Sequence, residues 1–234
     1  GTNPLAQFFA ATLERALADD APDLLWCHSS AFNVAWDAPR EFRERFVESG
    51  DPPPLDICQP IDRDLSRDYD PDELLGVVQA YAGQIAAWDT CLDAWLDALA
   101  DRAAAENLLL VVTSPRGYPL GEHLRIGPCD QALYGELLQV PLFICDSQGP
   151  GRLERRTTLA QPQDLFATLV NWFGSPTPDN AWGENLLAEN EREGKFRREY
   201  AWAKTTDQMA IRTPAWFYRK SAATGELYAK PDDR

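Results

Sequence analysis

The chain has 234 residues, 22 Lys and Arg against 37 Asp and Glu, a formal net charge of −15 and a pI near 4.5. An acid excess of this size with no basic stripe argues against a nucleic-acid backbone or an anionic membrane surface as partner. At 44% hydrophobic and 25% charged residues, the composition is that of a globular chain able to bury one sizeable core, which excludes a disordered one.

Asn3-Pro4 followed by Leu5, Phe8, Phe9, Leu13 and Leu17 is an N-cap, a first-turn proline and apolar residues at helical spacing, predicting a helix over 4–19. Asp23-Leu-Leu-Trp-Cys-His28 reads as a short buried strand whose end delivers His28 to a loop. Pro39 with Glu41 opens a second short helix to about Val47, and residues 50–70, with three successive prolines, read as loop. Asp70-Pro71-Asp72-Glu73 combines a cap, a first-turn proline and first-turn acids. Leu74, Val78, Tyr81, Ile85, Trp88, Leu92, Trp95 and Leu99 then recur every three or four residues, predicting an amphipathic helix to Ala105.

Residues 108–113 are a continuous apolar run after a long helix, the pattern of a buried parallel strand. Residues 139–145 predict another strand, and Pro162 to Phe173, ending at Gly174, a helix. Alternating helices and strands define an α/β layered portion over 1–190. Beyond it, the aromatic runs 200–204, 208–212 and 215–219 predict an antiparallel meander within 191–234. The charge run Glu191–Arg198 reads as a solvated linker, and Trp202, Trp216 and Tyr218 as residues that pack the small sheet on the main layer.

Five scattered cysteines, Cys27, Cys58, Cys91, Cys129 and Cys145, contain no C-x-x-C pair and read as free buried thiols, not as disulfide or zinc ligands. With no apolar run near the roughly 18 residues of a membrane span and no leader pattern at the first residues, a cytoplasmic location is expected.

Several segments, in order, resemble the C-terminal half of the sulfatases of the alkaline phosphatase superfamily. They are Trp36-Asp-Ala-Pro39, Tyr81-Ala-Gly-Gln-Ile-Ala-Ala-Trp-Asp89, Leu110-Val-Val-Thr-Ser114, Leu120-Gly-Glu-His123, Leu133 to Leu142, Gln161 to Leu169 with Gly174, and Ala210 to Tyr218 with Glu226-Leu-Tyr228. The resemblance implies an α/β fold, a mixed sheet flanked by helices with a small C-terminal antiparallel sheet. It also implies calcium held by hard oxygen ligands and a formylglycine nucleophile made from Cys or Ser. The nucleophile and the first metal-ligand aspartates belong to the family's N-terminal half, and no C-x-P-x-R or S-x-P-x-R stretch occurs in these residues.

Three further elements depart from the family pattern. Where sulfatases carry Ser-Asp-His-Gly or Ser-Asp-Asn-Gly, this chain reads Ser114-Pro115-Arg116-Gly117, which offers a cation in place of metal ligands. The lysine expected four residues before Tyr134 is Asp130, and the histidine expected after the first strand falls near Phe32 or Asn33. No cofactor is therefore expected in this chain. Arg116 and His123 are candidates for an anion-binding pair, with His28 and Arg125 beside them on loops that face the family's cleft. The competing reading pairs Arg116 with Glu122 or Asp130 in space a metal would fill, leaves His28 hydrogen-bonded to a loop carbonyl, and gives Asp89 a structural role.

Three functional expectations follow. One is a degenerate sulfatase homologue without metal-dependent hydrolysis, binding a small sulfated or anionic ligand or serving in regulation. Another is the C-terminal portion of a longer active sulfatase. The last in rank is a phosphoryl-transfer enzyme of the same superfamily, which needs metal carboxylates and a nucleophile that these residues do not show. A half-sheet would leave an apolar face and strand edges, so a homodimer or a covering partner is expected as well.

Overall fold

The computed structural model describes residues 3–30, 32–56, 59–128, 132–149, 154–188 and 198–230. It divides into two compact units, Gly1–Cys129 with Val140–Arg152, and Asp130–Gln139 with Leu153–Arg234.

The first unit is built on α3 (Pro71–Ala105). Its start is fixed as the sequence predicts: Asp70 Oδ1 accepts from the Asp72 amide at 2.9 Å, and Pro71 occupies the first turn. Helix α1 (Pro4–Leu17) begins in the same way, with Asn3 accepting from the Leu5 amide at 2.8 Å. Helix α2 (Arg40–Glu44) is shorter than expected. The two helices and α3 enclose one core of Leu5, Phe9, Ala38 and Ala87, packed by Phe42, Trp88 and Trp95. A second core, two to three turns away along α3, gathers Trp36, Leu65, Val77, Ala80 and Ile126.

Buried polar side chains pin the irregular segments to α2 and α3. Gln84 accepts from the Ala38 amide at 2.9 Å and Gln79 donates to Asp51 at 3.2 Å. Arg43 is 1% exposed and donates to the Leu55 and Trp36 carbonyls. Each bond satisfies a group whose burial would otherwise cost about 1–3 kcal/mol. Helix α2 approaches so closely that a Cβ at Gly83 would lie 2.6 Å from Arg43 Cγ.

Strand β1 (Arg63–Asp64) pairs antiparallel with β3 (Arg125–Ile126). Strand β2 (Leu109–Thr113) pairs antiparallel with β4 (Leu142–Asp146), from Leu109 opposite Asp146 to Thr113 opposite Leu142. The expected parallel, buried environment of β2 is not observed; the strand is half-buried, and Phe143 on β4 is 65% exposed. The run Asp23–His28 is likewise not a strand. Residues 24–28 form no ladder and are exposed, Trp26 at 73%, because hydrophobicity alone supplies no pairing partner.

The second unit contains α4 (Gly135–Leu138), α5 (Pro162–Trp172) and a four-stranded meander of β5 (Ala201–Lys204), β6 (Met209–Arg212), β7 (Trp216–Lys220) and β8 (Gly225–Ala229). The meander is the one read from the aromatic runs, with β8 added. Its inner face holds Ala210 and Phe217 against Leu133. Trp202 and Trp216, expected to pack inward, are 41% and 51% exposed on the other face.

Helix α5 starts with a capping box in which Asp164 accepts from the Gln161 amide at 2.6 Å. The same buried carboxylate accepts from the Glu184 amide at 3.0 Å and pairs with Arg198. Residues 191–197 of the expected linker lie outside the described residues. Arg198 is not solvated as expected: its side chain is 12% exposed, and it also donates to Gln161 at 3.0 Å.

The described cysteines, Cys27, Cys91 and Cys145, are free. Cys27 and Cys145 are exposed, contrary to the buried environment expected, while burial pushes the Cys91 thiol up. Cys58 and Cys129 lie outside the described residues. Asp89, expected in a structural contact, is exposed on α3. No helix among the described residues is long and apolar enough to cross a membrane.

Candidate functional site

The segment after β2 carries three of the four candidate residues. The chain leaves Thr113 through Ser114-Pro115-Arg116-Gly117, and Ser114 Oγ donates to the Arg116 carbonyl at 2.6 Å. This side-chain bond closes a tight turn on which Arg116 is exposed. The turn is anchored by its next residue. Tyr118 stacks on Tyr81 with centroids 5.5 Å apart, meets Trp36 edge-on at 5.4 Å, and donates its hydroxyl to the Ile61 carbonyl at 2.9 Å.

Pro119 then enters the core and a narrow loop forms. Leu120 bridges Ile126, the Gly121 amide donates to the Arg125 carbonyl at 2.9 Å, and the Gly127 amide to the Pro119 carbonyl at 3.2 Å. At its tip His123 (φ 51°, ψ 30°) and Leu124 (φ 57°) both adopt the left-handed conformation. For residues bearing a Cβ that backbone costs on the order of 1–2 kcal/mol each. The surroundings hold it: Leu65 donates its amide to the Leu124 carbonyl at 2.7 Å, and the Leu120 amide donates to Glu122 Oε2 at 2.6 Å. Strain of this kind collects where a side chain must be presented in one direction, and here it presents an exposed His123.

Arg125 is placed differently. Its guanidinium pairs with Asp62, lies 3.6 Å from Asp64 and donates to the Pro128 carbonyl at 3.2 Å. It therefore ties β1 to the loop. His28 lies on the extended, exposed segment before α2, away in sequence from this loop. Glu122, one of the two acids weighed as a partner for Arg116, accepts from the Leu120 amide through Oε2, and the other, Asp130, lies outside the described residues. Asp62 and Asp64, which neutralise Arg125, carry no sequence signal that distinguishes them from the other acids of 50–70.

A calcium ion, implied by the resemblance, takes 6–8 oxygen ligands. Ser114–Gly117 offers a hydroxyl engaged with its own turn, a pyrrolidine ring and a guanidinium that repels a dication. These residues do not fit the ion. Among the described residues no group of three or more His, Cys, Asp or Glu side chains is placed to hold a metal.

The helices, the paired strands and the loop after β2 define an α/β protein of alkaline phosphatase-like architecture. The family model described as Sulfatase matches residues 2–175, and the chain belongs to that family. A multifunctional alkaline phosphatase superfamily protein, PehA of Trinickia caryophylli, is 27% identical over 121 residues, covering 50% of this chain and 23% of PehA. The phosphonate monoester hydrolase of Agrobacterium radiobacter is 25% identical with a TM-score of 0.57, over 71% of this chain and 37% of that one. The protein yidJ of Bacteroides fragilis, provisionally called a sulfatase, aligns over 97% of this chain and 50% of its own, with a TM-score of 0.62 at 16% identity. The chain thus spans half or less of the length of these relatives.

Proposed function

We propose that this chain is a sulfatase-family homologue whose loop after β2 receives a small oxyanion, a sulfate or phosphate group or its ester, on Arg116 and His123 without a metal at that loop. The observation that supports the reading is the turn closed by Ser114 Oγ on the Arg116 carbonyl, at the stretch where the resemblance aligns Arg116 with the family's metal ligands. A guanidinium forks onto a tetrahedral oxyanion with two parallel hydrogen bonds, and an imidazole adds a third donor. The pinned left-handed backbone at His123 supports this role, since less backbone freedom is lost on binding. Binding of this kind needs no nucleophile, and none is assigned.

Calorimetry with sulfate, phosphate and calcium tests the reading. We expect sulfate or phosphate to bind, Arg116→Ala to weaken binding at least tenfold, and calcium to give no heat. Tight calcium binding, or anion binding indifferent to Arg116→Ala, overturns it.

A second reading is favoured by the coverage, 23–50% of the relatives' lengths. It makes these residues the C-terminal portion of a longer ester hydrolase whose nucleophile and metal ligands lie elsewhere. Under it, a longer protein containing this chain hydrolyses aryl sulfates or phosphonates, and Arg116→Ala lowers kcat/KM of that protein. Absence of turnover by such a protein refutes it.

A further inference from the structure

The outer face of the meander is apolar and ordered in register. Trp202 lies opposite Ile211, Ile211 opposite Tyr218, and Tyr218 opposite Leu227, so one row crosses all four strands. Leu227 is 60% exposed, and Trp216 and Met209 extend the patch. In the adjoining row Lys204 lies opposite Met209 and Met209 opposite Lys220, which sets two cations at the border. Lys204 and Lys220 supply the charge of this face, since Arg219 is buried on the inner face and Arg198 pairs with Asp164.

A sheet face of this composition is ordinarily covered by another layer. At about 4.8 Å between strands the row is roughly 14 Å long, close to the rise of about 16 Å between residues eleven apart on a helix laid along it. A second meander laid on the first with lysine rows facing would oppose like charges. The exposed side of α3 has the complementary pattern: Ile85 and Leu96, 44% and 40% exposed and three turns apart, share one side of the helix. Asp89 and Asp93 are exposed on the same side, and Asp97 and Asp101 continue the four-residue interval around the helix. Like charges at that spacing destabilise an isolated helix, and facing cations relieve the repulsion.

We infer that the outer face of the meander docks α3 of a second copy of this chain, with Ile85 and Leu96 on the Trp202–Leu227 row and Asp89 and Asp93 toward Lys204 and Lys220. The inference is independent of what the Arg116 loop binds.

Sedimentation across a concentration series at low salt tests it. The parent chain is expected to self-associate, and K204E/K220E and D89K/D93K are each expected to weaken association at least tenfold while retaining the parent's circular dichroism. Mixing the two variants restores association, because reversed charges then meet. Leu227→Asp, which keeps the lysines, is expected to abolish it. A parent chain that is monomeric throughout, an association indifferent to charge reversal, or a failure of the mixture to associate overturns the inference.

Discussion

Gly127 shows how one missing side chain shapes the candidate site. Its φ is +101°, and a Cβ there would collide with the Ile61 carbonyl oxygen and lie 2.8 Å from Asp62 Cα. Backbone, not a flexible side chain, blocks the space, so Gly127→Ala is expected to cost at least ~2 kcal/mol, read as a shifted urea midpoint. The carboxyl of Glu184 allows a sharper test. Burial raises its pKa, with Arg198 opposing and Asp164 reinforcing the shift. A carboxyl whose folded pKa lies above its unfolded value adds stability at acid pH that is lost as pH rises through the folded pKa. At neutral pH the charge therefore opposes folding. Glu184→Gln is expected to raise Tm by about 1–2 °C at pH 7, and the gain should vanish as thermal melts are taken down through the carboxylate range.

Among the elements, Asp164 is the joint on which α5, the 184–188 segment and the approach to β5 meet. It is fully buried and accepts from the Gln161 and Glu184 amides while pairing with Arg198. Removing one partner of a buried pair strands the other charge, so Asp164→Ala is expected to lose about 3–5 kcal/mol in denaturant unfolding. This joint was only partly legible in the sequence. The helix was, through Pro162 and its apolar spacing. The cap was not, because glutamine is not among the usual N-cap residues, and Arg198 sat in what read as a solvated run. The contrast holds elsewhere. Helices α1 and α3 follow from Asn3-Pro4, Asp70-Pro71 and periodicity, all local signals. Residues 23–28 read as a strand and are not one, since a strand exists only with a partner, and the sequence near Trp26 names none. The turn at Arg116 was visible as a replaced motif. The pairing of Arg125 with Asp62 and Asp64, formed across 63 positions in sequence at its longer reach, was not.

For the whole molecule, the −15 charge sets the response to solvent. Self-repulsion opposes the compact state, and added salt screens it. Thermal melts are expected to rise from low to physiological ionic strength, with sodium chloride and sodium sulfate separated at matched ionic strength. Sulfate should give an added increment that Arg116→Ala removes, by linkage of ligand binding to folding. Calcium should give no increment beyond its screening.

The two cores of the first unit share one rod. Val77, Ala80 and Tyr81 of α3 serve the core around Trp36, while Ala87, Trp88 and Cys91 serve the one around Phe9. A helix turns 100° per residue, so inserting a single alanine between Gln84 and Ala87 would swing one set of knobs away from the other by more than a quarter turn, with no change in composition or propensity. Loops such as 45–56 absorb an extra residue with little angular consequence. Across descendants of this sequence, the length of α3 between its two cores should therefore be invariant where the identities of its residues are not.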